Sequence, residues 1–242
     1  MRFSTDPGLT SRSLSFYATV CDGVGGGPDG ARCSALAGRL AFDSLATSAH
    51  HRKRLVDHLS GLPAEISRAL SAAADEPINP LDRAAATTFA GAVVVDGIAW
   101  VATVGDCQAV VVRGGEVLEA STPHNLWAQS LLTRHNDLPA SNSATYLAST
   151  LTRRLRADNR FAVPTASLLV VPLAVGDWLM VSTDGVHESL GLARMAQIVD
   201  DATADASVQA VANALVDSAV SVAGPEADNA TVVVAALGRD RT

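Results

Sequence analysis

The sequence lacks the features that mark membrane, secreted and zinc-binding proteins. Its 242 residues contain only three cysteines, too few and too scattered for a disulfide framework or a zinc site. No apolar run approaches the roughly 18 residues that span a bilayer, and the N-terminus has no apolar signal core. We therefore expect a cytoplasmic protein whose cysteines serve as small buried hydrophobic residues.

Positive charge is also scarce in this chain. The net charge is -7 and there is no long basic run, which argues against nucleic acid or an anionic membrane as the main partner. A hydrophobic content of 48% with 18% charged residues fits a globular protein with a sizeable core. There is no internal repeat and no low-complexity tail, so we expect residues 1–242 to form a single domain.

Short apolar runs separated by Asp-Gly and Gly-Gly turns predict an antiparallel meander in the middle of the chain. The strands follow one another without regular alternation with helices. This order favours two antiparallel sheets with helices outside over a doubly wound parallel sheet. Pro63 is a candidate break in the second helix, and the polar segment 136–149 is the best candidate for a mobile surface loop. Helical patterns cover residues 31–48, 54–74, 192–199 and 206–222.

The most informative feature is a set of four aspartate-containing turns, each next to an apolar strand-like run. Strands deliver side chains to one edge of a sheet, so we expect four carboxylates to meet there. Such carboxylates repel one another unless a cation lies among them, and hard oxygen ligands suit Mg²⁺ or Mn²⁺. The turns are Asp22–Gly26 after residues 15–21, Gly105-Asp106 after 98–104, Asp184-Gly185 after 178–183, and Asp228-Asn229 before 230–234.

The glycine-rich segment Gly25–Gly30 offers a different interpretation, because it formally matches the Gly-x-Gly-x-x-Gly signature of dinucleotide-binding proteins. Two observations count against it. The charge of Asp22 at the strand end would repel a pyrophosphate. The residues that follow look helical as far as residue 74, so no second strand carries a ribose-binding acid. A nicotinamide-dependent oxidoreductase is therefore a rival hypothesis, whereas the absence of Gly-Lys-Ser/Thr excludes a Walker phosphate loop.

Taken in order, the four motifs resemble those of the metal-dependent protein phosphatases (the PPM family, or type 2C phosphatases) in their bacterial form. The resemblance implies an αββα sandwich, in which two antiparallel sheets are flanked by helices and a metal centre lies at one end. It also implies hydrolysis of phosphoserine and phosphothreonine on protein substrates, opposing a serine/threonine kinase. The matching segments are Val20–Gly26, Val104–Asp106, Ser182–Val186 and Asp228–Val232, within roughly residues 6–237.

The resemblance further implies two Mg²⁺ or Mn²⁺ ions, with a third in some members. Asp22 would bridge the two ions, and Gly23 would coordinate through its backbone carbonyl. Asp184 and Asp228 would ligate the first metal, while Asp106 would help to hold the third. Asp22, Asp184 and Asp228 would thus be catalytic through a metal-activated water that attacks phosphorus.

The N-terminus departs from the family pattern, which usually carries an arginine that grips the phosphate and acids that support the second metal. Arg2 is one residue out of register for the first role, Thr5 stands where a glutamate is expected, and Asp6 could join the metal shell. This departure supports an alternative, a catalytically weak or inactive member that acts as a phosphoprotein-binding or regulatory module. The retained Asp22 and Asp184, together with Asp228, argue against it.

Residues near the four motifs are not expected to bind metal. Residues 121–149 form a candidate flap near the substrate. His124 within this segment and His187 after Asp184 are expected at the surface, and Glu188 is expected to be a solvated loop charge.

Overall fold

The structure is a computed structural model that describes residues 2–5, 16–25, 28–48, 54–133, 144–202 and 207–238. The strands are β1 (Arg2–Thr5), β2 (Phe16–Val20), β3 (Gly23–Val24), β4 (Ala86–Thr87), β5 (Phe89–Val95), β6 (Ile98–Val104), β7 (Gln108–Arg113), β8 (Glu116–Ala120), β9 (Leu155–Arg156), β10 (Ser167–Pro172), β11 (Trp178–Ser182) and β12 (Val232–Ala236). The helices are α1 (Pro28–Ser48), α2 (Leu55–Ala74), α3 (Leu126–Thr133), α4 (Ala144–Ser149), α5 (Asp184–Leu190), α6 (Leu192–Asp200) and α7 (Val208–Ala223).

Two antiparallel sheets form the middle layers of the molecule. The first has the order β1-β2-β5-β6-β10 and the second the order β12-β11-β7-β8, while β3-β4-β9 form a small third sheet. Every strand pair among the described residues is antiparallel, so no βαβ unit is present there to support the dinucleotide hypothesis.

Three apolar clusters join the layers. Residues such as Ala18, Val101 and Val181 fill the space between the two large sheets. A second cluster packs α1 and α2 onto the first sheet, and a third packs α5, α6 and α7 onto the second sheet. All seven residues of β5 are buried, which explains why its sequence is continuously apolar rather than alternating. The αββα sandwich implied by the sequence motifs is therefore confirmed.

The topology brings the four aspartate turns to one end of the sandwich. Strands β2 and β6 both pair antiparallel with β5, so they are parallel to each other and their carboxyl ends lie on the same side. Strand β11 pairs antiparallel with both β7 and β12, so its carboxyl end lies beside the starts of those two strands. The turns that contain Asp22, Asp106, Asp184 and Asp228 all lie at these strand ends.

The predicted break of the second helix at Pro63 is wrong, because α2 runs without interruption from Leu55 to Ala74. Proline removes one backbone hydrogen bond from a helix interior and crowds the preceding turn. Here the apolar face of the helix, which includes Leu59, Leu62 and Ile66, is almost completely buried. Burial of that face maintains the helix, because tertiary packing supplies most helical stability in proteins.

Two further expectations need adjustment. The Asp184-Gly185 motif was interpreted as a turn, but it begins helix α5. The segment 136–149 was expected to be irregular, whereas residues 144–149 form α4 and residues 136–143 lie outside the described residues. Helices α3 and α4 are joined at their base by a hydrogen bond from the Leu126 N–H to the Thr150 carbonyl, at 3.0 Å.

No helix in the described part of the chain is long and apolar enough to cross a membrane. The three cysteines are unpaired; Cys33 and Cys107 are buried and Cys21 is half-buried, in agreement with their expected role as small hydrophobic residues.

Candidate metal centre

The Asp22 turn is fixed through its backbone by the connection between β4 and β5. The Thr88 N–H and the Thr87 hydroxyl both donate to the Asp22 carbonyl, at 2.8 and 2.6 Å. The Asp22 N–H donates in return to Thr88 Oγ1, at 3.2 Å. Because these bonds satisfy the peptide groups of Asp22, its carboxylate is free to interact outside the turn.

The residue after Asp22 is glycine because the backbone of α1 leaves no space for a side chain at position 23. A Cβ atom at this position would lie 2.4 Å from the carbonyl carbon and oxygen of Gly30, in the first turn of α1. The helix therefore packs directly against the backbone of β3, an approach that only glycine permits. This contact explains the Asp-Gly pair of the first motif in structural terms.

The Asp106 turn is shaped by Gly105, which has a φ of +95°. A Cβ atom on Gly105 would lie 2.6 Å from Thr88 Cβ, so the same threonine contacts both the first and the second aspartate turn. Asp106 itself is only 5% exposed.

His124 holds the Asp106 turn from the other side and is not the surface residue that was expected. Its N–H donates to the Gly105 carbonyl at 2.8 Å, and the Gly105 N–H donates to His124 Nδ1 at 3.0 Å. His124 Nε2 lies 2.7 Å from Ser167 Oγ. Burial, followed by the nearby Arg153, lowers the pKa of His124 to about 4, so the ring is neutral and can accept at Nδ1.

The third and fourth aspartate turns are clamped together. Thr183 Oγ1 donates to the Asn229 carbonyl at 3.1 Å and accepts from the Thr231 N–H at 3.1 Å. A Cβ atom on Gly185 would lie 2.7 Å from the Asn229 carbonyl oxygen, so glycine is again required. These contacts fix the start of α5 against the segment that precedes β12.

Asp184 and Asp228 each use one carboxylate oxygen to accept a hydrogen bond from the next residue in the chain. Asp184 Oδ1 accepts from the Gly185 N–H at 2.8 Å, and Asp228 Oδ1 accepts from the Asn229 N–H at 2.6 Å. In each case the second carboxylate oxygen accepts no hydrogen bond from a backbone N–H among the described residues.

The four carboxylates are electrostatically coupled. Burial, then the charge of Asp184 and a hydrogen bond with it, and then Asp228 and Asp106, raise the pKa of Asp22 to about 7. Burial and Asp184 likewise raise the pKa of Asp106 to about 7. Among the described residues, none of the four forms an ion pair with a basic side chain. The centre therefore concentrates negative charge that the protein itself does not neutralise.

Glu188 belongs to the same acidic region, although the sequence suggested a solvated loop charge. It lies four residues after Asp184 on α5, and therefore on the same side of the helix. Partial burial of its carboxyl group and the charge of Asp184 raise its pKa, and Glu188 in turn contributes to the raised pKa of Asp106. The signal that would have found it is the four-residue spacing, which becomes meaningful only once α5 is recognised as a helix.

His187 is buried rather than exposed, and it links two of the turns. Its Nδ1 lies 3.0 Å from Ser182 Oγ at the end of β11. Burial lowers its pKa to about 4, opposed by hydrogen bonding with the backbone of Asp106 and Thr183. His187 thus contacts the backbone next to the acidic centre.

The donor set fits hydrated divalent ions. No three His, Cys, Asp or Glu side chains among the described residues are arranged to hold one metal ion by themselves. Mg²⁺ usually keeps several water molecules and uses only one or two carboxylates, so this sparse, all-oxygen set suits it better than it suits zinc. Asp6 lies outside the described residues, and Arg2 begins β1, where its backbone pairs with Thr19 at the edge of the first sheet.

Comparison with known proteins places this geometry in context. The family model described as Protein phosphatase 2C matches residues 9–220. The fold resembles the serine/threonine phosphatase PstP/Ppp from Mycobacterium tuberculosis, with 19% identity, 98% of each chain covered and a TM-score of 0.74. It also resembles Stp1 from Staphylococcus aureus, with 19% identity, 98% of this chain and 94% of that chain covered and a TM-score of 0.74.

A structure of the PstP catalytic domain in complex with two manganese ions has 18% identity to this chain, covers 98% of each chain and gives a TM-score of 0.70. No curated protein sequence gives a significant match. At identities of 18–19% the solved structures show only that the fold is shared. The family itself is assigned from the family model, which matches residues 9–220.

Proposed function

Because the chain belongs to the protein phosphatase 2C family and is a metal-dependent serine/threonine protein phosphatase, we propose that Asp22, Asp184 and Asp228 hold its catalytic ions. The observation that supports this proposal is the raised pKa of Asp22, about 7, which is caused by burial and then by the charges of Asp184, Asp228 and Asp106, with no ion pair between Asp22 and a basic side chain among the described residues. A divalent cation would relieve this repulsion, because it favours the ionised form of every carboxylate around it.

The roles follow the order of the motifs. Asp22 would bridge two ions, with the carbonyl of Gly23 as a further ligand, and Asp184 and Asp228 would ligate the first ion. Asp106 would serve a third ion, and we propose Mg²⁺ or Mn²⁺ for all of them. When bound, such ions supply an activated water and neutralise charge on the phosphoryl oxygens.

The contribution of the protein is to fix the spacing between these groups. The bonds from Thr87 and Thr88 to the Asp22 backbone hold one side of the centre. The Thr183 hydroxyl, bonded to the segment after Asp228, holds the other side. Prearranged donors of this kind need little reorganisation when a substrate binds, and the rate of phosphoryl transfer depends mainly on such positioning and on charge stabilisation.

Several finer points remain proposals. Arg2 is proposed to contact the substrate phosphate and Asp6 to join the metal shell. Residues 1–242 are treated as one domain in which 121–149 forms a flap near the substrate. An opposing serine/threonine kinase and a cytoplasmic location are predictions from the sequence, as is the expectation that nucleic acid and membranes are not partners. The inactive alternative rests on the departure at the N-terminus, and neither the described residues nor the family match adds support to it, because Asp22, Asp184 and Asp228 are all retained.

The proposal is tested by hydrolysis of p-nitrophenyl phosphate and of a phosphothreonine peptide, each with Mn²⁺, with Mg²⁺ and with EDTA. We expect activity with the metals and its loss in EDTA. Absence of turnover with either metal, in a protein that circular dichroism shows to be folded, would contradict the proposal and favour a binding module. The variant Arg194→Gln, which changes an exposed residue of α6, serves as a control and should keep the activity of the wild type.

A further inference from the structure

A second charged site lies outside the acidic centre. A cavity of about 360 Å³ opens between α2 and the segment 154–164, and Arg68, Arg154 and Arg156 are among the residues that line it. None of the four aspartates of the candidate metal centre lines it. In a chain with a net charge of -7, three arginines in the wall of one cavity form a local exception.

Among the described residues, none of these three arginines forms an ion pair with a carboxylate. Burial and the neighbouring charge of Arg156 lower the pKa of Arg154, so Arg154 lies beside a like charge with part of its own hydration removed. An arrangement of this kind favours a bound anion that would neutralise both groups.

Asp75 and Asp158, the two acids in the cavity wall, do not supply the negative charge that would balance these arginines. Asp158 is paired with Arg160 at 2.7 Å, and hydrogen bonds from Arg160 lower the pKa of Asp158 to about 2. Asp75 is paired with Arg83. Each of these carboxylates is thus neutralised by an arginine that is not part of the cavity wall.

The remaining wall indicates what kind of anion fits. The buried Ser67 and Ser71 of α2 bring hydroxyl groups to one side of the cavity. Phe161 and Val163 are 54% and 46% exposed on the other side, and the guanidinium carbon of Arg156 lies 4.5 Å from the centroid of the Phe161 ring. A doubly charged oxyanion attached to an apolar body would match this wall better than a single carboxylate, because the wall combines three arginines with apolar side chains.

The cavity is also close to the candidate metal centre along the small third sheet. Leu155, between the two arginines, pairs with Thr87, and Thr87 pairs with Gly23. Two strand spacings correspond to about 10 Å, and an extended peptide advances about 3.3 Å per residue. One peptide could therefore reach both sites with its two anchoring side chains three or four positions apart in sequence.

We propose that this cavity binds a second phosphoserine or phosphothreonine of the protein substrate, three or four residues from the one presented to the metal centre. Arg68, Arg154 and Arg156 would hold its phosphate, and Phe161 and Val163 would contact the neighbouring peptide side chains. The identification of the peptide as substrate rests on the proposed function, whereas binding to the cavity requires no metal.

The test measures fluorescence anisotropy of a labelled peptide in EDTA, so that the acidic centre cannot contribute a metal-held phosphate. The probe carries phosphothreonine and, four residues later, phosphoserine; two comparison peptides replace the phosphoserine by serine or by glutamate. The variant Arg154→Gln/Arg156→Gln is compared with Arg39→Gln/Arg194→Gln, which removes the same charge from exposed positions on α1 and α6 outside the cavity.

We expect the cavity variant to bind the doubly phosphorylated peptide about tenfold or more weakly, since hydrogen bonds between charged groups are lost. The control variant should stay within about twofold of the wild type, and both comparison peptides should bind the wild type as weakly as the cavity variant binds the probe. Equal weakening in the two variants would overturn the proposal by reducing it to general charge attraction. Equal binding of the glutamate peptide would overturn the assignment of a phosphate dianion.

A second readout separates this proposal from the proposed function. With Mn²⁺, the cavity variant should show a raised KM for the doubly phosphorylated peptide only, with unchanged turnover of p-nitrophenyl phosphate, which also shows that the variant is folded. Metal-free binding without any turnover would contradict the proposed function and leave the cavity proposal supported. Normal turnover with no binding difference between the variants would contradict the cavity proposal alone.

Discussion

Strand β11 has an aspartate at each end, and the two are electrostatic opposites. Asp177 precedes the strand and Asp184 follows it, each beside a glycine. In the sequence the two look alike, as acids in tight turns next to an apolar run. In the structure Asp177 is paired with an arginine, whereas Asp184 belongs to a cluster of acids that forms no ion pair with a basic side chain in the described part of the chain.

Asp177 is a structural carboxylate. Only 1% of its surface is exposed, and its oxygens accept hydrogen bonds from Arg113 Nε at 2.8 Å and from an Arg113 terminal nitrogen at 2.7 Å. The Ala174 N–H donates a further bond at 2.7 Å. Hydrogen bonding from Arg113 is the main cause of the lowered pKa of Asp177. Both carboxylate oxygens of Asp177 therefore already accept hydrogen bonds from the protein, so this group is a poor metal ligand.

Asp184 has the opposite environment. Its charge contributes to the raised pKa values of Asp22, Asp106 and Glu188, and its carboxylate accepts a hydrogen bond from the adjacent Gly185 N–H. The comparison teaches that strand-end aspartates become functional candidates when the protein supplies other acids around them instead of an arginine.

Asp184→Asn should lower turnover of a phosphothreonine peptide by at least about 100-fold, because it removes a charged ligand from the centre. Steady-state kinetics at a fixed Mn²⁺ concentration measure the loss. A turnover near that of the wild type would show that Asp184 is not part of the working site. Asp177→Asn, at the other end of the same strand, is the matched control and should retain the activity per folded molecule.

Asp177→Asn should instead lower the free energy of unfolding by about 1.5–3 kcal/mol, since it weakens charge-assisted bonds to a buried group. Thermal and urea unfolding measure this change. An unchanged unfolding midpoint would show that the Arg113 pair contributes nothing to stability, and the proposed contrast between the two strand ends would fail.

Asp106→Asn should reduce activity by about tenfold at low Mn²⁺ and by less at high Mn²⁺, because a weaker ion is expected to depend on this side chain. The measurement is turnover across a Mn²⁺ titration. A loss as complete as that of Asp184→Asn, at every concentration, would place Asp106 among the principal ligands. The third-ion assignment would then be wrong.

Asp22→Asn should change the pH dependence of stability in EDTA. The pKa of Asp22 is raised from 3.8 to about 7 in the folded protein, so the folded state binds more protons than the unfolded state between these values. Stability from this group therefore falls as the pH rises from 4 to 7. The variant lacks this penalty, which solvent screening limits to about 1 kcal/mol because Asp22 is only partly buried. Its melting temperature relative to the wild type should therefore rise by about 2–4 °C between pH 5 and pH 7.5. A constant difference would contradict the raised pKa.

Much of the fold could be predicted from local patterns. Strand β11 runs from Trp178 to Ser182, within the apolar run at residues 178–183, because turn residues bound it on both sides. The first helix was predicted from residue 31 and begins at Pro28, close to the glycine-rich turn. These features depend on side-chain periodicity and turn chemistry, which a single sequence displays directly.

The remaining features depend on contacts between distant segments. Helix α5 was missed because its seven residues begin with Asp-Gly, a pair that usually indicates a turn. His124 and His187 were assigned to the surface, yet each contacts backbone beside an aspartate turn from a different part of the chain. The basic cavity combines α2 with a segment about 85 residues away in sequence, and no local pattern reports such a meeting.

The most direct test of the account is Mn²⁺ binding measured by calorimetry on the wild type, Asp184→Asn and Asp177→Asn. We predict that Asp184→Asn binds Mn²⁺ at least about tenfold more weakly, while Asp177→Asn stays within about twofold of the wild type. Equal affinities in all three proteins, or a larger loss in Asp177→Asn, would contradict the claim that the acids at the carboxyl end of β11 form the metal centre.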